Sequence, residues 1–223
     1  MSIPSPTTVR PTSPTYEIQT INSIEAIAQL APDWRRLTAG TYHDAPFFQP
    51  EWCAATANSF FPDSVPNILT VRSSGELVGV LPLLRSRNIR RGVPMRTLRS
   101  ISSPHSCRSD LIVGDGPHPA VARAAWNALQ QDPWWQAIAF DDAPEDGALH
   151  SLLQLAEADN CLTAKWRSRL SPTLTVSPPA PFDLCPKRYK SFRNRLKGKL
   201  QRLSEKGAVE FKVESSPTTE TLE

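Results

Sequence analysis

The most reactive side chains gather between Pro104 and Asp110, where Pro104-His105-Ser106-Cys107-Arg108-Ser109-Asp110 sets a thiol beside an imidazole, a guanidinium and a carboxylate. These are the parts of a Cys/His nucleophile pair. That chemistry needs the thiol and its base to converge within hydrogen-bond reach, usually with a third group orienting the base, and adjacency in sequence does not bring this about. A polar loop in which Asp110 begins a strand accounts for the same residues. His43, His105, His118 and His150 are scattered, without the H-x-x-x-H or paired-cysteine spacing that holds a metal, and no metal is expected. Asp141-Asp142 and Glu145-Asp146 follow an apolar run, a place where α/β proteins often put functional carboxylates. Helix capping and loop solvation explain them more simply.

Anion-cradling loops need glycine so that backbone amides can approach a phosphate at a helix N-terminus, and neither G-x-x-x-x-G-K-[ST] nor G-x-G-x-x-G occurs. Arg195-Leu196-Lys197-Gly198-Lys199-Leu200 approximates the Q/R-x-x-G-x-G/A loop that takes an acyl-CoA pyrophosphate. It ends in Leu, however, and falls inside a predicted helix, so it reads as chance. That helix spans Pro186 to Lys206 and is rich in Lys and Arg, while Tyr189, Phe192, Leu196, Leu200 and Leu203 recur at helical spacing. Lys190, Arg193 and Lys197 mark its candidate docking face for an anionic partner; a solvated face on a packed helix is the simpler account. Nucleic acid is not the expected partner, because the aromatics share the apolar stripe rather than standing among the charges where bases could stack on them.

The elements that would position these groups alternate between strand and helix. Tyr16 to Ile21 reads as a strand, and Asn22 with Glu25 as a capping box starting a helix at Ser23 that Pro32 should kink or restart and Gly40 should stop. Pro50 suits a first helical position, with the helix running to about Ser59. Asn67 to Val71, a Ser73-Ser74-Gly75-Glu76 turn and Leu77 to Arg85 form the clearest hairpin signal. Further strands are expected at Arg96–Ile101, Asp110–Val113, Trp135–Phe140, Cys161–Arg167 and Thr173–Val176, and helices at His118–Gln131 and Leu149–Ala158. Gly207 should cap the basic helix, after which Val209, Phe211 and Val213 alternate as a last strand. This pattern predicts an α/β sheet flanked by helices.

The chain has 223 residues, 25 Lys+Arg against 22 Asp+Glu, and 22 prolines, about twice the usual share. The proline surplus sits in the first fifteen residues, read as a disordered tail, and in Ser171–Pro186, read as a linker. No apolar run is long enough for a membrane span or a secretory signal, and a cytoplasmic location is expected. Cys53, Cys107, Cys161 and Cys185 are spaced as neither a zinc knuckle nor a disulfide framework, so reduced thiols are expected.

Several segments occur in a familiar order. Phe48-Gln49-Pro50-Glu51-Trp52, then Gly75-Glu76-Leu77-Val78-Gly79-Val80-Leu81-Pro82-Leu83, then Ser109-Asp110-Leu111-Ile112-Val113, and finally the basic helix with Val209-Glu210-Phe211 resemble the CelD-like, BioF-like acetyltransferases of the GNAT superfamily. The resemblance covers about Tyr16 to Val213. It implies an α/β fold with a GNAT-like mixed sheet flanked by helices over residues 16–180, then over 181–223 a basic bridging helix and the first strand of a second GNAT lobe. It further implies acetyl-CoA as cosubstrate, bound by a C-terminal lobe missing from this sequence, and direct acyl transfer to a small-molecule or saccharide amine or hydroxyl. No catalytic residue carries over, and the chain alone is expected to be inactive. If ligand touches this half, the expected contacts are Trp52, Arg108 and Asp110, since a loop leading into a strand is where a cleft between lobes would take them. The alternative is a non-catalytic module that docks an anionic partner through the basic helix, recognisable by salt-sensitive binding without affinity for acetyl-CoA.

Overall fold

Ser74 and Gly75 both take positive φ, 51° and 83°, the two-residue geometry whose twist matches an antiparallel pair. They close the expected hairpin, whose strands run longer than the apolar core of each segment. The computed structural model describes residues 15–90, 92–106, 108–114, 119–166 and 190–210. In chain order these form β1 (Tyr16–Ile21), α1 (Ile24–Thr38), a 3-10 turn (Pro46–Phe48), α2 (Pro50–Phe60), β2 (Val65–Ser73), β3 (Glu76–Arg90), β4 (Val93–Ser100), β5 (Ile112–Val113), α3 (Pro119–Gln131), β6 (Ala137–Ala139), α4 (Leu149–Ala158) and α5 (Lys190–Ser204).

The strands make one mixed sheet in the order β1-β2-β3-β4-β6, with β5 beside β3. Long β3 carries two neighbours on its far side: Gly79–Val80 pairs with β5, and Leu83–Arg90 with β4. Every pairing is antiparallel except β4 with β6, a parallel pair between which β5 and α3 intervene in the chain. Because helices cover both faces, the central strands are apolar on both sides rather than alternating with polar residues. Ile68, Leu77, Val80 and Leu84 pack with Ile27, Leu30 and Trp34 of α1 and Cys53 and Ala57 of α2. Leu69, Val71, Leu81, Leu83 and Leu98 pack with Val121, Ala125, Trp126 and Leu129 of α3 and Leu149 and Leu152 of α4. The register slips between Val71 and Arg72, leaving Val78 without a direct partner. This bulge puts Leu77 on the same face as Val80, three residues on.

Four expectations change in detail. Ser23, not Asn22, caps α1, its Oγ accepting from Ala26 N–H at 3.2 Å. Pro32 does not restart the helix, which is continuous from Ile24 to Thr38. Pro32 and Ala28, whose carbonyl loses its usual donor, both face solvent, which leaves that oxygen open to water. Residues 161–166 form no strand; instead Asn160 (φ 58°) and Cys161 close α4, with Asn160 N–H on the Glu157 carbonyl and Cys161 N–H on the Ala156 carbonyl at 2.9 Å. That Schellman-type stop uses the residues that were to begin a strand. Finally, the apolar stripe of α5 is half exposed, Phe192, Leu196, Leu200 and Leu203 at 44 to 56%. The expected strand Thr173–Val176 and residues 211–213 of the last strand lie outside the described residues.

The chain divides into two compact units, Met1–Ser168 and Arg169–Glu223. Among the described residues no helix is long and apolar enough to cross a membrane.

Candidate functional site

The loop from Ile101 to Leu111 leaves β4, reaches β5 and is polar in sequence, yet Ser102, Ser103, Ser106, Ser109 and Asp110 are all buried. A buried polar loop has to account for each of its groups. Asp110 does so through α4: its Oδ1 accepts from Leu149 N–H at 2.7 Å and from Leu111 N–H at 2.8 Å, and its Oδ2 from Ala148 N–H at 3.2 Å. The carboxylate thus sits on the N-terminal amides of α4, where the helix dipole favours negative charge. Gly147 permits the approach, since a Cβ there would lie 2.5 Å from Asp110 Oδ2.

His43 completes this arrangement from the other side of the sheet's end. Its Nδ1 lies 3.0 Å from the Val113 carbonyl oxygen and its Nε2 3.2 Å from Asp110 Oδ2. Both partners accept, so in these contacts the ring is the donor through whichever nitrogen carries hydrogen. The pair is closed off from solvent, its side chains 6% and 0% exposed. It locks the loop before β5 to the Thr41–Asp44 segment.

Outside this lock lies an aromatic surface. Tyr42 stands edge-on to His43 (5.3 Å between rings) and is half exposed, with Arg108 over its face at 5.3 Å and hydrogen-bonded to its hydroxyl. Burial pushes the Tyr42 phenol up from its ordinary value, with Arg108 pulling the other way. Trp52 donates its indole N–H to Ser106 Oγ at 3.0 Å, Ser106 meets Ser103 at 3.1 Å, and Phe47 packs edge-on to Trp52 at 5.4 Å. Trp52 also lines an open cleft of about 480 Å³ with Asp44, Ala45, Pro46, Gln49 and Glu51. Glu51 is ion-paired with Arg35 of α1.

Trp52, Arg108 and Asp110 therefore meet one loop, but they differ in what they can touch. Trp52 and Arg108 reach the surface, whereas the Asp110 carboxylate faces inward and is saturated by backbone and His43. Its oxygens are bonded within the protein and hold the loop to α4 and His43. Nor do His105 and Asp110 converge: His105 is exposed and packs on Phe60 at 5.6 Å between rings, and Cys107 lies outside the described residues. The Asp141-Asp142 pair clamps the loop rather than capping a helix. Asp142 (φ 54°) accepts Ser109 N–H on its carbonyl at 3.2 Å, and Asp141 meets Arg99 at 3.2 Å. His43 and Tyr42 were not singled out from sequence, because a contact across 67 residues leaves no local spacing to read.

On α5, Lys190, Arg193 and Lys197 fall at helical spacing on one face, and Lys197 is exposed. Among the described residues no group of three or more His, Cys, Asp or Glu is placed to hold a metal. The first amides of α4 are taken by Asp110 and so offer no cradle to a CoA pyrophosphate.

No family model matches the chain, and no curated protein matches it. Solved structures that resemble it include a ribosomal-protein-alanine N-acetyltransferase from Brucella melitensis biovar Abortus 2308, at 15% identity over 71% of this chain and 100% of that one, with a TM-score of 0.41. An aminoglycoside N-acetyltransferase in complex with CoA shares 13% identity over 74% of this chain and 100% of its own, at 0.39. A Trypanosoma brucei acetyltransferase shares 13% over 71% and 100%, also at 0.39. Likenesses of this size say nothing of substrate or site.

Proposed function

We propose that the chain serves a GNAT-type N/O-acyltransferase that uses acetyl-CoA, with residues 15–166 shaping the acceptor side of the site. The observation that carries this reading is the mutual placement of three motif segments far apart in sequence. Gly79 and Val80 of the second pair with Val113 and Ile112 of the third, and Trp52 of the first binds Ser106 in the loop that leads to the third. In the reaction proposed, an acceptor amine or hydroxyl attacks the thioester carbonyl, its proton passes to a base, and CoA leaves as the thiolate that takes up a proton. Trp52 and Arg108 would meet the acceptor, for which a saccharide or cell-envelope precursor in the cytoplasm is the class proposed. Asp110 and His43 would hold the loop that carries Arg108. The pyrophosphate site is assigned outside the described residues, and no step is routed through it.

The test is release of CoA thiol from acetyl-CoA by the protein, with amine and oligosaccharide acceptors. Acceptor-dependent release, lowered by Trp52→Ala, supports the reading. Absence of release with every acceptor overturns it. A second reading, a module that docks an anionic partner, is favoured by α5, which carries basic residues without an acid from Lys190 to Ser204 and an exposed apolar stripe. Salt-sensitive binding without acetyl-CoA turnover would select it.

A further inference from the structure

From Arg85 to Arg99 the sequence contains Arg85, Arg87, Arg90, Arg91, Arg96 and Arg99 and no Asp or Glu. The fold separates these arginines by what meets them. Arg85 and Arg99, at the base, are paired with Asp132 at 2.7 Å and Asp141 at 3.2 Å, and each stacks on an aromatic ring, Trp134 and Phe61. Farther out the situation changes. β2 ends its pairing at Val65 opposite Arg85, and β6 reaches only Thr97–Arg99 of β4. Gln136, just before β6, still donates its N–H to the Arg96 carbonyl at 2.8 Å and accepts from Arg96 N–H at 3.0 Å, so residues 86–90 and 93–95 are a two-stranded ribbon standing past the sheet with Arg96 at its root, about 17 Å long on the β3 side at the usual rise per residue.

On this ribbon Arg87 and Arg96 are direct cross-strand partners, both exposed, and no carboxylate among the described residues pairs with either. Like charges set opposite each other weaken a strand pair, and an isolated hairpin has little stability to spare. Near the turn, Ile89 is 77% and Val93 58% exposed, on opposite faces. A polyanion alone would repay the guanidinium groups and leave these aliphatic side chains in water. A phospholipid interface takes both, headgroup phosphates on the arginines and the acyl boundary on the aliphatic tip.

We propose that the β3–β4 ribbon, residues 86–90 and 92–96, docks on an anionic phospholipid surface, with Arg87 and Arg96 at the headgroups and Ile89 and Val93 at the acyl boundary. The surface is separate from the Trp52 cleft and stands whether or not the acyltransferase reading does. It would hold the protein at a membrane without a spanning helix. Anionic lipid attracts such residues at roughly a fivefold gain in partitioning per arginine close to the surface.

The test is sedimentation of the full chain with phosphatidylcholine vesicles, with and without phosphatidylserine, across a salt series. Binding should require phosphatidylserine and weaken with salt. Arg87→Gln with Arg96→Gln should lower the partition coefficient by about 25-fold, and Ile89→Ser should lower it with the charges intact. Arg96→Glu supplies a control for folding, since it places a carboxylate opposite Arg87: the thermal midpoint should hold or rise while vesicle binding falls. Lys197→Gln with Lys199→Gln on α5 should leave the effect of the ribbon substitutions in place. The proposal is overturned if phosphatidylserine vesicles do not sediment the protein, or if the ribbon substitutions leave binding unchanged. It is equally overturned if poly(U) is bound in preference to vesicles with Ile89→Ser indifferent, which would make the ribbon a nucleic-acid contact.

Discussion

Asp110 does its work without touching solvent. Its carboxylate gathers the first amides of α4, the start of β5 and the ring of His43, so removing it strands three backbone N–H groups and an imidazole in the interior at once. Asp110→Ala should therefore destabilise the fold by about 3–5 kcal/mol, the range for breaking a buried pair by losing one partner. Urea unfolding reads this directly, and a loss below ~1 kcal/mol would mean that water replaces the carboxylate. The cysteines give a second, independent check. Cys53 is buried against α1 and the sheet, and burial pushes its thiol up to about 12, whereas Cys161 is exposed at the end of α4. Alkylation of the native protein near neutral pH, read by peptide mass, should mark Cys161 and spare Cys53, because only a thiolate reacts. At this scale the sequence points to Trp52, Arg108 and Asp110 through the loop they border. It does not reveal that Asp110 turns inward, since its direction is decided by Gly147 and His43, far away in the chain.

Among the elements, β3 and α3 meet most tightly at Gly79. A Cβ there would stand 2.5 Å from Val121 Cγ1, closer than any real contact, and a β-branched valine on a helix has little rotamer freedom to yield. Gly79→Ala should cost about 1–3 kcal/mol, and Val121→Ala should recover part of that in the double variant although it is destabilising alone. Additive effects in the double-mutant cycle would show that the helix shifts instead. The link between α1 and β2 responds to acid. The Arg72 guanidinium, 2.7 Å from Asp33, holds that carboxyl below its ordinary value. Its contribution is complete above about pH 4, the unfolded value, and is lost as pH falls through the lower folded value. Asp33→Asn should therefore lower stability at neutral pH and flatten the acid limb of a stability profile, both seen in urea midpoints. Helices and hairpin strands were legible here because their signals are local: apolar spacing, Pro50 at a helix start, Ser74-Gly75 at a turn. The strand expected from Cys161 was not formed, because alternation over a few residues does not distinguish a strand from a helix stop that consumes the same residues.

The two apolar cores lie wholly between Tyr16 and Ala156, one on each side of the sheet. That layered α/β arrangement follows from alternating strand and helix signals. The strand order does not: β5 beside β3, and β4 parallel to β6, are pairings across tens of residues that local pattern leaves open. The basic helix shows the same limit, since periodicity identifies its apolar stripe but not what covers it. These cores carry a consequence for the whole molecule. Every residue of both cores named above belongs to the first unit, and hydrophobic burial is the dominant favourable contribution to stability. A polypeptide ending at Ser168 should therefore unfold cooperatively in urea at the midpoint of the full chain, with a smaller slope only in proportion to surface lost. A midpoint lowered by more than ~0.5 kcal/mol equivalent would show that residues beyond 168 stabilise the first unit, and would make α5 part of its architecture rather than a surface free for a partner.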